Sequence, residues 1–143
     1  MAVHEITFPI WGPMDLFRYS SVGQRDYTGG ADGKLRFLQC RDCQLFIHPP
    51  APVCRHCLSE DVAPAVVPGT AVVDSYTINH QAWYPGLEVP FVIARVAIDG
   101  APGVYLTTNI INCPVDEVDI GDKVHVTFQQ EGEVYLPLFE KVA

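Results

Sequence analysis

The sequence predicts a mainly β fold in three parts: an irregular to helical N-terminal segment (1–33), a cysteine-bearing ribbon (34–68) and a five-stranded barrel (69–143). Three observations carry this. Two Cys-x2-Cys pairs stand close together, Cys40 with Cys43 and Cys54 with Cys57. From Thr70 onward, short runs rich in valine, threonine, isoleucine and tyrosine alternate with turn residues, the pattern of strands. Within that region no segment has the 3.6-residue periodicity of an amphipathic helix.

Taken in order, Pro9, Gly12 and Pro13 precede a short helix expected over residues 14–24, and Gly29, Gly30 and Gly33 make the stretch from Tyr27 a poor helix former. Residues 34–39 form a strand that delivers the chain to Cys40. Residues 44–48 form a second, ended by Pro49 and Pro50, because proline cannot donate to a ladder. The stretch 64–69, with Pro64 and Pro68, reads as a linker. Strands then follow at 70–79, at 91–98 before the Asp99-Gly100 turn, at 104–111, at 123–129 after Gly121-Asp122, and at 134–139. Five such strands suit a small closed or partly open barrel, which removes exposed sheet edges.

Composition sets the class. Of 143 residues, 48% are hydrophobic and 18% charged, which excludes a disordered chain. No run approaches the roughly 18 apolar residues of a membrane span. The opening Met-Ala-Val-His-Glu lacks the basic flank and apolar run of a secretory signal, so a soluble, cytoplasmic protein is expected. In that setting five cysteines point to metal or redox chemistry rather than a disulfide framework. With 9 basic against 17 acidic residues, a net charge of −8, the chain as a whole repels a polyanion, although Lys34, Arg36, Arg41 and Arg55 form a local basic strip.

Two residues between thiols let a tight turn aim both sulfurs at one ion, and two such turns face to face make a tetrahedral four-thiolate site for one structural zinc per chain. Ten residues separate the pairs, room for a strand and its return. Thiolate softness also admits iron, but four thiolates close the coordination sphere, which favours zinc. The bland alternative is two unrelated buried or redox pairs. His48 and His56 lie in the same segment and offer imidazoles as substitute ligands; Cys113, before Pro114, reads as a small buried side chain.

No glycine-rich phosphate loop, Gly-x-Ser-x-Gly elbow or His-Glu-x-x-His helix is present, and no catalytic residue is assigned. Asp116, Glu117, Asp119 and Asp122 read as a solvated acidic turn, and His80 as a hydrogen-bonded histidine at a strand end. The loop 80–90 (HQAWYPGLEVP) is the main feature outside the cysteines. Trp83 and Tyr84 offer the apolar area and polar tips typical of binding hot spots, or else cap the end of the barrel.

This order of parts resembles the acyl-CoA-associated zinc-ribbon/OB-fold proteins, a former domain of unknown function. The resemblance rests on Gly33-Lys34-Leu35, Gln39-Cys40-Arg41-Asp42-Cys43, Pro49-Pro50 and Cys54-Arg55-His56-Cys57 in the ribbon. In the barrel it rests on Gly69-Thr70-Ala71-Val72, Ser75-Tyr76-Thr77-Ile78-Asn79-His80, Pro90-Phe91-Val92-Ile93-Ala94, Thr107-Thr108-Asn109 and Ile120-Gly121-Asp122-Lys123-Val124. It implies a rubredoxin-like zinc ribbon followed by a five-stranded OB-fold barrel. It further implies a non-catalytic subunit beside a thiolase-superfamily enzyme acting on acyl-CoA thioesters. The favoured partner is a lipid-transfer-protein-like aldolase of the kind that shortens steroid side chains; an acyltransferase or synthase complex is the alternative. Tyr27, Trp83 and Tyr84 are then the expected contacts to the partner or its acyl channel. The glycine-rich stretch after Tyr27 departs from the aromatic helix usual in the family. A single-stranded nucleic-acid-binding module is the competing reading from another class, because OB barrels commonly serve it, and the acidic balance opposes it. A stand-alone CoA-thioester enzyme would need catalytic residues that the sequence does not display.

Overall fold

The computed structural model describes residues 32–131 and 134–142. The helix expected over 14–24 and the expected contact Tyr27 lie outside the described residues. Among the described residues two small sheets account for nearly all the regular structure. The first contains β1 (Arg36–Cys40), β2 (Phe46–Ile47) and β3 (Val62–Val66) in the order β2-β1-β3, all antiparallel. The second is a closed barrel of β4 (Thr70–Asn79), β5 (Phe91–Ile98), β6 (Tyr105–Ile111), β7 (Lys123–Glu131) and β8 (Val134–Lys141), in the order β4-β5-β6-β8-β7. Among the described residues no helix is long and apolar enough to cross a membrane.

One expectation is corrected. The stretch read as a linker from Pro64 begins inside β3, which pairs along β1 from Arg36↔Val66 to Cys40↔Val62. Pro64 is opposite Leu38 and is tolerated because β3 is the outer strand of its sheet, where a missing N–H forfeits no ladder bond if it faces solvent.

The barrel follows from the alternation in its strands. Val92, Ala94, Val96 and Ile98 of β5 point inward, as do Leu106, Thr108 and Ile110 of β6. Closure is made by a short parallel contact, Ile110↔Phe139 and Ile111↔Glu140, between β6 and β8. Thr108, the fully buried polar residue of this wall, donates its hydroxyl to the Pro137 carbonyl oxygen at 2.8 Å, so its one polar group is satisfied. On the other side β4 follows β5 from Ala71↔Ile98 to Asn79↔Phe91, with a bulge between Val73 and Ser75, but meets β7 only over Thr70, Ala71 and Val72.

Ribbon and barrel share apolar packing. Leu35, Phe37 and Val67 are buried in the same cluster as Val73, Val96, Leu106, Val124 and Phe139 of the barrel. Phe37 is only 1% exposed; a side chain of that size stabilises by about 1.5–3 kcal/mol when fully buried, so β1 is tied to the barrel as well as to its own sheet. A second, smaller cluster under the cysteines contains Leu38, Cys40, Ile47 and Cys54. At the junction Gly100 has φ of 80°, and a Cβ there would lie 2.7 Å from Cδ of Pro68. Only glycine fits this approach.

Candidate metal centre and the exposed aromatic loop

β1 ends on Cys40, and the chain turns back at once into β2. In that turn the Gln44 N–H donates to the Cys40 carbonyl at 3.0 Å, and the Cys40 N–H donates to the Leu45 carbonyl at 2.9 Å. The second turn repeats the pattern: Leu58 N–H to Cys54 carbonyl at 3.0 Å, and Cys54 N–H to Ser59 carbonyl at 2.9 Å. Gln44 and Leu58 occupy the same place in the two turns, four residues after the first cysteine, and both adopt the left-handed region with φ of 66° and 63°. The amide donors to sulfur match as well. Cys40 receives the N–H groups of Cys43 and Asp42, and Cys54 those of Cys57 and His56. Cys43 receives that of Leu45, and Cys57 that of Ser59. The site is therefore built from one local structure used twice.

The two turns bring all four sulfurs within 4.8 Å of one another, with Cys40 to Cys57 at 3.5 Å and Cys43 to Cys54 at 3.6 Å. Tetrahedral thiolates about 2.3 Å from a zinc ion stand about 3.8 Å apart, so the geometry fits one structural zinc ion. The amides set unequal proton affinities. The Cys57 and His56 N–H groups bring the Cys54 thiol down to about 6 against an ordinary 9.0, and those of Cys43 and Asp42 lower Cys40. Cys57 still receives the Ser59 N–H, but the neighbouring Cys40 sulfur and burial push it up to about 12, and Cys43 also rises. Ligation of a divalent cation would need all four as thiolates, so metal affinity at this site would depend on pH. A clasp joins the turns: the Ser59 hydroxyl donates to the Asp42 carboxylate, and the Arg41 N–H donates to the Asp61 carbonyl at 2.9 Å. Neither histidine belongs to the cluster. His56 is exposed, and His48 stacks edge-on against Phe37 with ring centroids 5.3 Å apart. Cys113 is half-buried against the barrel core, and burial raises its thiol.

The acidic turn forms a 3-10 turn at Val115–Glu117, with Asp116, Glu117 and Asp119 exposed and Asp122 held by Lys141 at 3.1 Å. His80 is exposed just beyond β4. In the loop that follows, Trp83 is 70% exposed although its indole N–H is already bonded to the Asn79 Oδ1 at 3.0 Å. The Asn79 amide in turn donates to the Gln81 carbonyl at 2.8 Å. Trp83 is thus fixed in place with its polar group satisfied and its apolar ring in water; Tyr84 beside it is half-buried. Spacing alone does not reveal this brace, since nothing in the composition of the loop pairs Asn79 with Trp83.

Comparison with known proteins agrees with the two-part architecture. Residues 28–63 match the rubredoxin-like zinc ribbon domain of ChsH2 and residues 65–129 its C-terminal OB-fold domain. A solved chain of the Ltp2-ChsH2(DUF35) aldolase is similar at 30% identity with a TM-score of 0.73, covering 82% of this chain and 92% of that one. A DUF35 protein of unknown function from Sulfolobus solfataricus shares the fold, at 20% identity and a TM-score of 0.62, covering 90% of this chain and 93% of that one. A probable enoyl-CoA hydratase alpha subunit of Thermomonospora curvata is 34% identical over 107 residues, 74% of this chain. The chain spans about a third of that relative's length, 33%. The paired turns, the five-strand barrel behind them and these likenesses agree: the chain belongs to the ChsH2 (DUF35) family of zinc-ribbon and OB-fold proteins.

Proposed function

We propose that this chain is a non-catalytic accessory subunit of a thiolase-superfamily enzyme acting on acyl-CoA thioesters in the cytoplasm. A lipid-transfer-protein-like aldolase, with steroid side chains among its substrates, is the favoured partner. The observation that carries this reading is the near full-length likeness to a chain of the Ltp2-ChsH2(DUF35) aldolase. The similarity to a probable enoyl-CoA hydratase alpha subunit supports the substrate class more than the reaction. In this reading Cys40, Cys43, Cys54 and Cys57 hold zinc with no coordination position left open, so the metal braces the ribbon rather than performing chemistry. Trp83 and Tyr84 face the partner or its acyl channel, together with Tyr27 and the docking segment 1–33.

The test is co-expression with a thiolase-like subunit followed by affinity capture. Trp83→Ala should lower recovery of the partner about tenfold or more, as expected for a buried aromatic anchor, while zinc content stays at one ion per chain. Unchanged capture and unchanged turnover of the complex would sink the Trp83 assignment; failure of the native chain to bind any thiolase-like subunit would sink the accessory role. An acyltransferase or synthase partner would be recognised by the products the captured complex forms.

A further inference from the structure

Among the described residues the second half of β4 has an open edge, as do the stretches of β6 and β8 outside their two-residue contact. β4 runs beside β5 for its whole length but pairs with β7 only over Thr70, Ala71 and Val72, so among the described residues no strand covers the other edge of 74–79. The exposure agrees: β5 keeps a buried residue at every second position along its length, whereas residues 74–77 of β4 are all exposed. The direction of the free groups follows from the register. Val73 bonds away from β5, its N–H to the Asp122 carbonyl at 2.9 Å and its carbonyl to the Gly121 N–H at 2.8 Å. Val73↔Val96 is therefore a pair that exchanges no hydrogen bonds, and the next residue on the regular strand, Arg95, must bond to its partner Ser75. The alternation continues through Thr77↔Ile93 and Asn79↔Phe91. Tyr76 and Ile78 consequently direct N–H and C=O to the open side.

Open edges invite strand addition, and folded proteins usually blunt them with proline or charge. The outer edge of β3 carries Pro64. The β4 edge carries Ser75, Tyr76, Thr77 and Ile78 with neither, and its one charge, Asp74, is matched by Arg95 at 3.6 Å on the neighbouring strand. A row of outward amides and carbonyls is complementary to another extended backbone. The edge ends at Asn79, which holds the exposed Trp83 ring in place. A second copy of the chain is disfavoured as occupant, because each copy brings a net charge of −8.

We propose that the 74–79 edge of β4 takes one extended strand of the catalytic partner, bonded to the backbone of Tyr76 and Ile78, with an apolar side chain of that strand against Trp83. This rests on the accessory-subunit reading above. Strand addition of this kind draws affinity from main-chain bonds and specificity from side-chain contacts beside the edge.

Amide hydrogen exchange on the full-length chain, free and in the captured complex, tests it. In the free chain the Tyr76 and Ile78 amides should exchange rapidly while those of Thr77 and Asn79 are protected by β5. In the complex, protection at Tyr76 and Ile78 should rise about tenfold or more. Tyr76→Pro, which removes an outward N–H and leaves the β5 ladder intact, should weaken partner binding about tenfold beyond Tyr76→Ala, the worth of one such bond. A complex that forms without protecting these two amides overturns the strand addition and leaves the accessory role standing; absence of any complex overturns both. Protection that grows with the concentration of the free chain assigns the edge to a second copy, and protection in a dilute monomer assigns it to the chain itself. Either result overturns the proposal.

Discussion

His48 packs edge-on against Phe37 at the base of the ribbon, and burial holds its imidazole down to about 4, against an ordinary 6.5. The unfolded chain therefore takes up a proton that the folded chain refuses between these values. The stabilisation is complete above about pH 6.5 and falls as the pH drops toward 4, by about 3 kcal/mol for a shift of this size. Chemical denaturation at a series of pH values should show this loss in the native chain and a shallower one in His48→Phe; because acid also protonates the thiolates of both proteins, the difference between them is the informative quantity. Equal slopes would remove His48 from the account. At this scale the cysteines were legible from spacing alone, because Cys-x2-Cys is a geometric statement about one turn. Gln44 and Leu58 were not: residues in the left-handed region are usually glycine or asparagine, and neither type marks these two positions.

Among the elements, the barrel strands were readable because β-branched residues recur within runs closed by glycine turns, as in β5 before Asp99-Gly100. β3 escaped notice because Pro64 and its two alanines carry no strand signal; its place is set by the ladder to β1, a tertiary choice. The brace from Asn79 to Trp83 escaped for a similar reason, since it depends on how the loop folds back. The most constrained connection is that between β5 and β6, where Gly100 lies against Pro68. Gly100→Ala would combine an unfavourable φ with a contact that the proline ring cannot relieve by rotation, and should cost about 2–3 kcal/mol. A drop in the denaturation midpoint with unchanged zinc content is the expected result; a variant as stable as the native chain would show that the junction yields.

Across the whole molecule, continuity of packing decides how metal and barrel communicate. Phe37 and Leu35 lie in the barrel core, while Leu38 and Cys40 of the same segment lie under the metal site. Removing zinc frees β1 at one end of this arrangement, so damage to the cluster should reach the barrel. Cys40→Ser is expected to abolish stoichiometric zinc and lower the thermal midpoint of the barrel, followed by near-ultraviolet circular dichroism; chelation of the native chain should do the same. A barrel melting at the native temperature without metal would mean that the two clusters unfold separately. The four-sulfur site also has an electrical consequence. Four thiolates around one divalent ion leave the loaded site with a formal charge of −2, however many protons the thiols held beforehand. Loading should therefore release protons, fewer of them once the pH exceeds the Cys54 range of about 6. A weakly buffered indicator dye would count them, and metal uptake with no proton release at or below that pH would exclude ligation by the thiols.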